Sequence, residues 1–104
     1  MICNINIWDD FLEGDDTTIQ VESSDFSKEM EIEILQYIKN TIAKAGIIPF
    51  HNMEIEDMIY NGNTFHHLEL RDVMYADVES IMSLLNSSEN NTYNGIYLDV
   101  YSES

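Results

Sequence analysis

The sequence predicts an α+β fold: a two-layer sandwich with a mainly antiparallel sheet and two helices on one face, in the order ββαββαβ, over residues 1–104. Three observations predict it. Five stretches alternate apolar and polar residues at period two, the spacing of half-buried strands. Two others repeat apolar residues every three or four positions, the spacing of an amphipathic helix. Between two of the alternating stretches stands Asn61-Gly62, a pair suited to the two-residue turn of a hairpin. Strand and helix patterns interleave with no internal repeat and no Pro- or Gly-rich linker, which points to one acidic domain.

Each element has its own justification. Residues 2–8 form the first strand, with Cys3, Ile5 and Ile7 on one face and Asn4, Asn6 and Trp8 on the other. Residues 9–16 make a turn in which Gly14 supplies freedom for positive φ. Residues 17–22 return as a second strand with Ile19 and Val21 inward, giving a hairpin with acids at its tip. Residues 25–45 are the clearest helix, capped by Ser23 or Ser24. Their apolar stripe is Phe26, Met30, Ile34, Leu35, Ile38 and Ile42. Acids fill the first half of this helix, while Lys39 and Lys44 follow in its second half, as the helix dipole favours. Gly46 ends it, and Pro49 prevents continuation.

Residues 52–60 and 64–72 are the second hairpin. Met53, Ile55 and Ile59 share one face of its first strand; His66, Leu68 and Leu70 alternate with Phe65, His67 and Glu69 on its second. The second helix covers 76–86 with Val78, Ile81, Met82 and Leu85 buried. A long polar loop, "NSSENNTYNG", leads to a last strand at 95–101, with Ile96, Leu98 and Val100 inside and Tyr97, Asp99 and Tyr101 outside. One sheet face is expected to pack on both helices, and the other to show acids and aromatics to water.

Charge is the outlier. Twenty Asp and Glu face four Lys and Arg, a net charge of −16. Solubility asks for a magnitude of only about 2–8 in a small domain. The excess excludes nucleic acid as a direct partner, because phosphate binding needs a basic footprint, and it disfavours anionic membranes. A globule of this length is roughly 33 Å across, and duplex DNA of that length carries about 19 phosphates. The domain thus approaches the charge density of DNA. No apolar run is long enough to span a membrane, and the N-terminus "MICNINIWDD" lacks a signal-peptide pattern; a cytoplasmic location is expected. Cys3 is alone, which excludes an internal disulfide and suits a small buried side chain.

The residues suggest no catalysis. Carboxylates are so frequent that no acid–base pair stands out. There is no phosphate-binding Gly-rich loop, no GxSxG elbow and no CxxC pair. The tip "DDFLEGDD" lacks the oxygen spacing of an EF-hand loop. His51, His66 and His67 are candidate metal ligands with Glu54 or Glu69, but His66 and His67 are adjacent on a strand and point to opposite faces. They are assigned structural roles, with no metal and no cofactor expected.

Interaction chemistry remains. "WDDFLEGDD" packs five acids into nine positions around Trp8, Phe11 and Leu12. Such carboxylates can pair with Lys and Arg lining a nucleic-acid channel, with aromatic neighbours as anchors. The expected partner-binding residues are Trp8, Asp9, Asp10, Phe11, Glu13, Asp15 and Asp16 at the tip, with Glu29, Glu31 and Glu33 on the first helix. Trp8 and Phe11 serve equally well as hairpin core.

In size, acidity and compact single-domain pattern the chain resembles the small, strongly acidic inhibitors made by phages and mobile elements, among them DNA-mimicking anti-restriction proteins and many anti-CRISPR proteins. The resemblance covers the whole chain loosely, rests on no family motif and carries over no residue role. It implies a non-enzymatic inhibitor that blocks the basic DNA- or RNA-binding groove of a bacterial defence effector, such as a Cas protein or restriction enzyme, in the host cell. Two alternatives share the electrostatics or the size: an immunity protein that neutralises a basic nuclease toxin, and an acidic adaptor or scaffold. Monomer and homodimer are both compatible with the sequence, since Tyr97 and Tyr101 on a terminal strand suit an edge that pairs with a second copy.

Overall fold

Residues 2–8, 17–23 and 27–103 are described by the computed structural model. The chain runs β1 (Ile2–Trp8), β2 (Thr17–Glu22), α1 (Glu31–Lys44), β3 (Met53–Tyr60), β4 (Asn63–Arg71), α2 (Tyr75–Asn86), β5 (Thr92–Tyr93), β6 (Ile96–Tyr97) and β7 (Asp99–Glu103). The fold is α+β. Five strands form one sheet in the order β3-β4-β1-β2-β7, and β5-β6 is a separate two-stranded ribbon. All pairs in the large sheet are antiparallel except β1–β4, which is parallel and sits inside it. A parallel pair cannot be closed by a tight turn. Here the α1 crossover, which carries the chain from β2 to β3, makes it possible; α2 then carries the chain from β4 to β7.

Both crossovers lie on the same face. The core joins Ile5, Ile19, Val21, Met53, Leu68, Leu70 and Val100 from the sheet to Ile34, Leu35, Ile38 and Ile42 of α1 and Val78, Ile81 and Leu85 of α2. All of these belong to the inward-facing sets expected from period two and period 3.6; Met30, Ile55, Met82 and Ile96 of those sets are partly buried against the core, and Phe26 and the side chains of Cys3 and Ile7 lie outside the described residues. Burying each such side chain contributes about 1.5–3 kcal/mol.

Four local readings are corrected. The first α-helix starts at Glu31, not at 25. A 3-10 turn over Lys28–Met30 precedes it, and its N-cap is Met30 without a side-chain hydrogen bond. Ser23 is buried beyond the end of β2 and does not cap it. Ile59 is 75% exposed although its face is apolar, because it lies at the hairpin tip beyond the core cluster. The polar loop before the C-terminus contains a hairpin: Asn94-Gly95 (φ 51° and 80°) turns β5 into β6, with the same geometry as Asn61-Gly62 (φ 51° and 77°). The expected strand 95–101 is therefore two pieces. At Leu98 the backbone N–H donates to the Asn91 carbonyl (2.8 Å), and the chain then joins β2 as β7. Gly46 ends α1 as expected, at φ 75°, with its N–H donating to the Ala43 carbonyl (3.0 Å).

Candidate functional site: the open face of the sheet

The face away from the helices is built by strand alternation and register. Leu68 and Leu70 point to the helices, so His67, Glu69 and Arg71 point the other way. Counting outward from the two-residue turn sets Glu54 opposite Glu69, Glu56 opposite His67 and Met58 opposite Phe65. At the far edge Glu22 of β2 stands opposite Asp99 of β7, and Gln20 opposite Tyr101. Thus Glu54 and Glu56 of β3, Glu69 of β4, Glu22 and Asp99 share one face. Two of the cross-strand pairs, Glu54–Glu69 and Glu22–Asp99, set an acidic residue opposite an acidic residue in the register, although the Glu69 carboxylate turns to His67 and Arg71. Like charges in that position destabilise a sheet. The Tyr101 hydroxyl donates to Glu22 Oε2 (3.0 Å), which orients one of these acids.

Near the β3–β4 edge the face is not simply solvated. His67 and Glu69 are 7% and 8% exposed. The His67 Nε2 lies 3.5 Å from Glu69 Oε1 and 3.9 Å from Glu56 Oε2. The Arg71 Nη2 lies 3.2 Å from Glu69 Oε2 and 3.7 Å from Glu56 Oε1. Each carboxylate therefore turns one oxygen to the imidazole and the other to the guanidinium. Neither ring nitrogen of His67 has a hydrogen-bond partner. Desolvation, followed by the hydrogen bond and charge of Glu69, pushes the Glu56 carboxyl up. Burial alone would raise Glu69 too, but the Glu56 hydrogen bond, Arg71 and the nearby His67 outweigh it and hold Glu69 below the ordinary value. Of the two, Glu56 is the one that keeps a proton more readily.

Arg71 is engaged with Glu56 and Glu69. Lys28 Nζ sits 4.9 Å from the centre of the Phe65 ring and Lys39 Nζ 4.1 Å from that of Phe50.

The expected partner-binding residues divide into three groups. Asp9, Asp10, Phe11, Glu13, Asp15 and Asp16 lie outside the described residues, as does the Trp8 side chain; the Trp8 backbone closes β1, paired with Arg71. Glu29 and Glu33 are exposed. Glu31 is a correction: it is 1% exposed and committed to His66, so it offers no surface to a partner. The opposite facing of the two adjacent histidines holds, with His66 turned to α1 and His67 to the open face. The Glu56–His67–Glu69 cluster was missed as a unit. Its signal was present, since Asn61-Gly62 fixes the register that brings Glu56 beside His67.

No helix among the described residues is long and apolar enough to cross a membrane. Fold and surface together define the chain as an α+β domain with an acidic open sheet. It matches no family model, no curated protein and no solved structure.

Proposed function

We propose that this protein is a non-enzymatic inhibitor that uses its acidic surface in place of nucleic acid to block the basic DNA- or RNA-binding groove of a bacterial defence effector. The supporting observation is the sheet face, where exposed Glu22 opposes exposed Asp99, a like-charge pair that a sheet disfavours, with exposed Glu54 on the same face. A basic groove facing those acids would relieve the repulsion that the isolated domain carries. Scale agrees. The protein is 35 Å across, a length over which duplex DNA carries about 21 phosphates, against a net charge of −16. Lys and Arg that hold phosphates would pair with carboxylates through charge-assisted hydrogen bonds. Such attraction mainly speeds encounter and sets specificity. Exposed Glu29 and Glu33 extend the acidic surface on the α1 side.

The test is displacement of labelled duplex from a panel of purified Cas nucleases and restriction enzymes, read by mobility shift. Displacement of duplex from one panel member is expected, falling steeply between about 50 and 200 mM salt. The triple variant Glu22→Lys, Glu54→Lys, Asp99→Lys should lose it. Failure to displace duplex from any member, or full displacement by the triple variant, overturns the reading.

A further inference from the structure

Glu56, His67 and Glu69 offer three donor atoms, all within 4.8 Å of one another. What sets this group apart from a plain pair of acids is its imidazole. The His67 side chain is 9% exposed, faces both carboxylates and has no hydrogen-bond partner at either ring nitrogen. A buried ring nitrogen left unsatisfied is unfavourable, and the Glu69 oxygen 3.5 Å away is too far for a good hydrogen bond. A metal ion fits that gap. Donors bound at about 2.1 Å in a tetrahedral array lie about 3.4 Å apart. The separations of 3.5 and 3.9 Å from His67 Nε2 are therefore near those of a closed site, and small side-chain rotations would complete it.

We propose that Glu56, His67 and Glu69 bind one divalent transition-metal cation of the zinc or manganese type on the open face of the sheet. The donor set selects the class. One imidazole with two carboxylates suits zinc and manganese, whereas magnesium and calcium prefer oxygen donors alone. Arg71 holds the far oxygens, Glu69 Oε2 and Glu56 Oε1, which leaves the oxygens facing His67 for the cation and fixes the carboxylate planes. Glu56 comes from edge strand β3 and the other two ligands from β4, so the ion would clamp the edge strand to the sheet. This site lies on the same sheet face but does not depend on the inhibitor reading, and it departs from the sequence-based expectation of no metal.

The test is calorimetric titration of the chelator-stripped full chain with zinc, manganese and calcium chlorides in separate arms. Zinc or manganese should bind at one ion per chain and raise the melting temperature, because a ligand that binds only the folded state stabilises it. His67→Gln and Glu69→Gln should each weaken binding roughly tenfold or more. Glu22→Gln and Glu54→Gln, acids of the same face outside the cluster, should leave it unchanged. Should the cluster variants fail to fold, NMR of the histidine rings in the unmodified chain decides: zinc should shift His67 and leave His51 and His66 in place. Absence of zinc and manganese binding, equal loss in all four variants, binding unchanged by His67→Gln, or a shift confined to His51 or His66 each overturns the proposal.

Discussion

One oxygen of Glu31 holds His66 at two points: Oε1 accepts the His66 backbone N–H at 2.6 Å and lies 2.7 Å from its ring Nδ1. The far side of the ring, Nε2, lies 2.9 Å from Asp57 Oδ1. Glu31 begins α1, His66 belongs to β4 and Asp57 to β3, so this contact fastens the helix layer to two strands. Glu31→Ala should cost about 3 kcal/mol of stability, since it empties a buried position and leaves the part-buried His66 backbone N–H and ring Nδ1 without their partner. Glu29→Ala and Glu33→Ala, both on exposed residues, should stay within about 0.5 kcal/mol. Urea denaturation of the three variants measures the difference.

Asp99→Lys separates stability from function. It converts the repulsive Glu22–Asp99 pair into an attractive one and should stabilise the fold by about 0.5 kcal/mol. The same change should weaken displacement of duplex from the target effector. A thermal melt and the mobility-shift assay on the same protein read the two effects.

The Glu56–Glu69 pair predicts opposed responses to pH in chelator-treated protein. Glu56 is held above the ordinary value of 4.5, so the folded chain binds the extra proton. Its contribution is complete below 4.5 and is lost as pH rises through the raised value. Glu56→Gln should therefore be more stable than the parent at neutral pH and level with it in acid. Glu69 is held below 4.5, so its contribution is present above 4.5 and is lost on acidification. Glu69→Gln should cost stability at neutral pH, and that cost should shrink as pH falls. Denaturation curves across the acid range test both signs.

Two glycines should behave alike although the sequence flagged only one. Gly62 and Gly95 sit at φ 77° and 80°, and nothing lies within 4 Å of a Cβ added at either. Substitution by Ala meets no clash, so the loss should be the backbone term alone, about 1 kcal/mol. Equilibrium unfolding of Gly62→Ala and Gly95→Ala checks it.

The core should show the opposite pattern from the hairpin tip. Leu68→Ala removes a side chain with no exposure and should cost about 2–5 kcal/mol. Ile59→Ala, on the same face of the sheet but 75% exposed, should cost less than about 0.5 kcal/mol.

Much of this was legible in the residues because it is local. Alternation assigned Leu68 and Leu70 to one face and His67 and Glu69 to the other, and period 3.6 picked out Ile34, Leu35, Ile38 and Ile42 before any neighbour was known. Asn61-Gly62 set the β3–β4 register, because the turn closes over two residues. Asn94-Gly95 carried the same signal, but its flanking strands are two residues each, too short for alternation to register. What tertiary structure alone decided is non-local. The parallel pairing of β1 with β4 depends on where the α1 crossover lands, and neither strand's own residues encode it. Glu31 looked like its solvated neighbours, yet His66, 35 positions away, makes it an interior residue. Glu69 and His67 alternate like outward-facing residues, yet they are buried. Sequence by itself determined which side chains share a face and how much negative charge the chain must carry, because covalent periodicity and composition are independent of the fold. Which acids that charge leaves exposed, and which it holds inside beside a histidine, was decided only when distant strands and helices met.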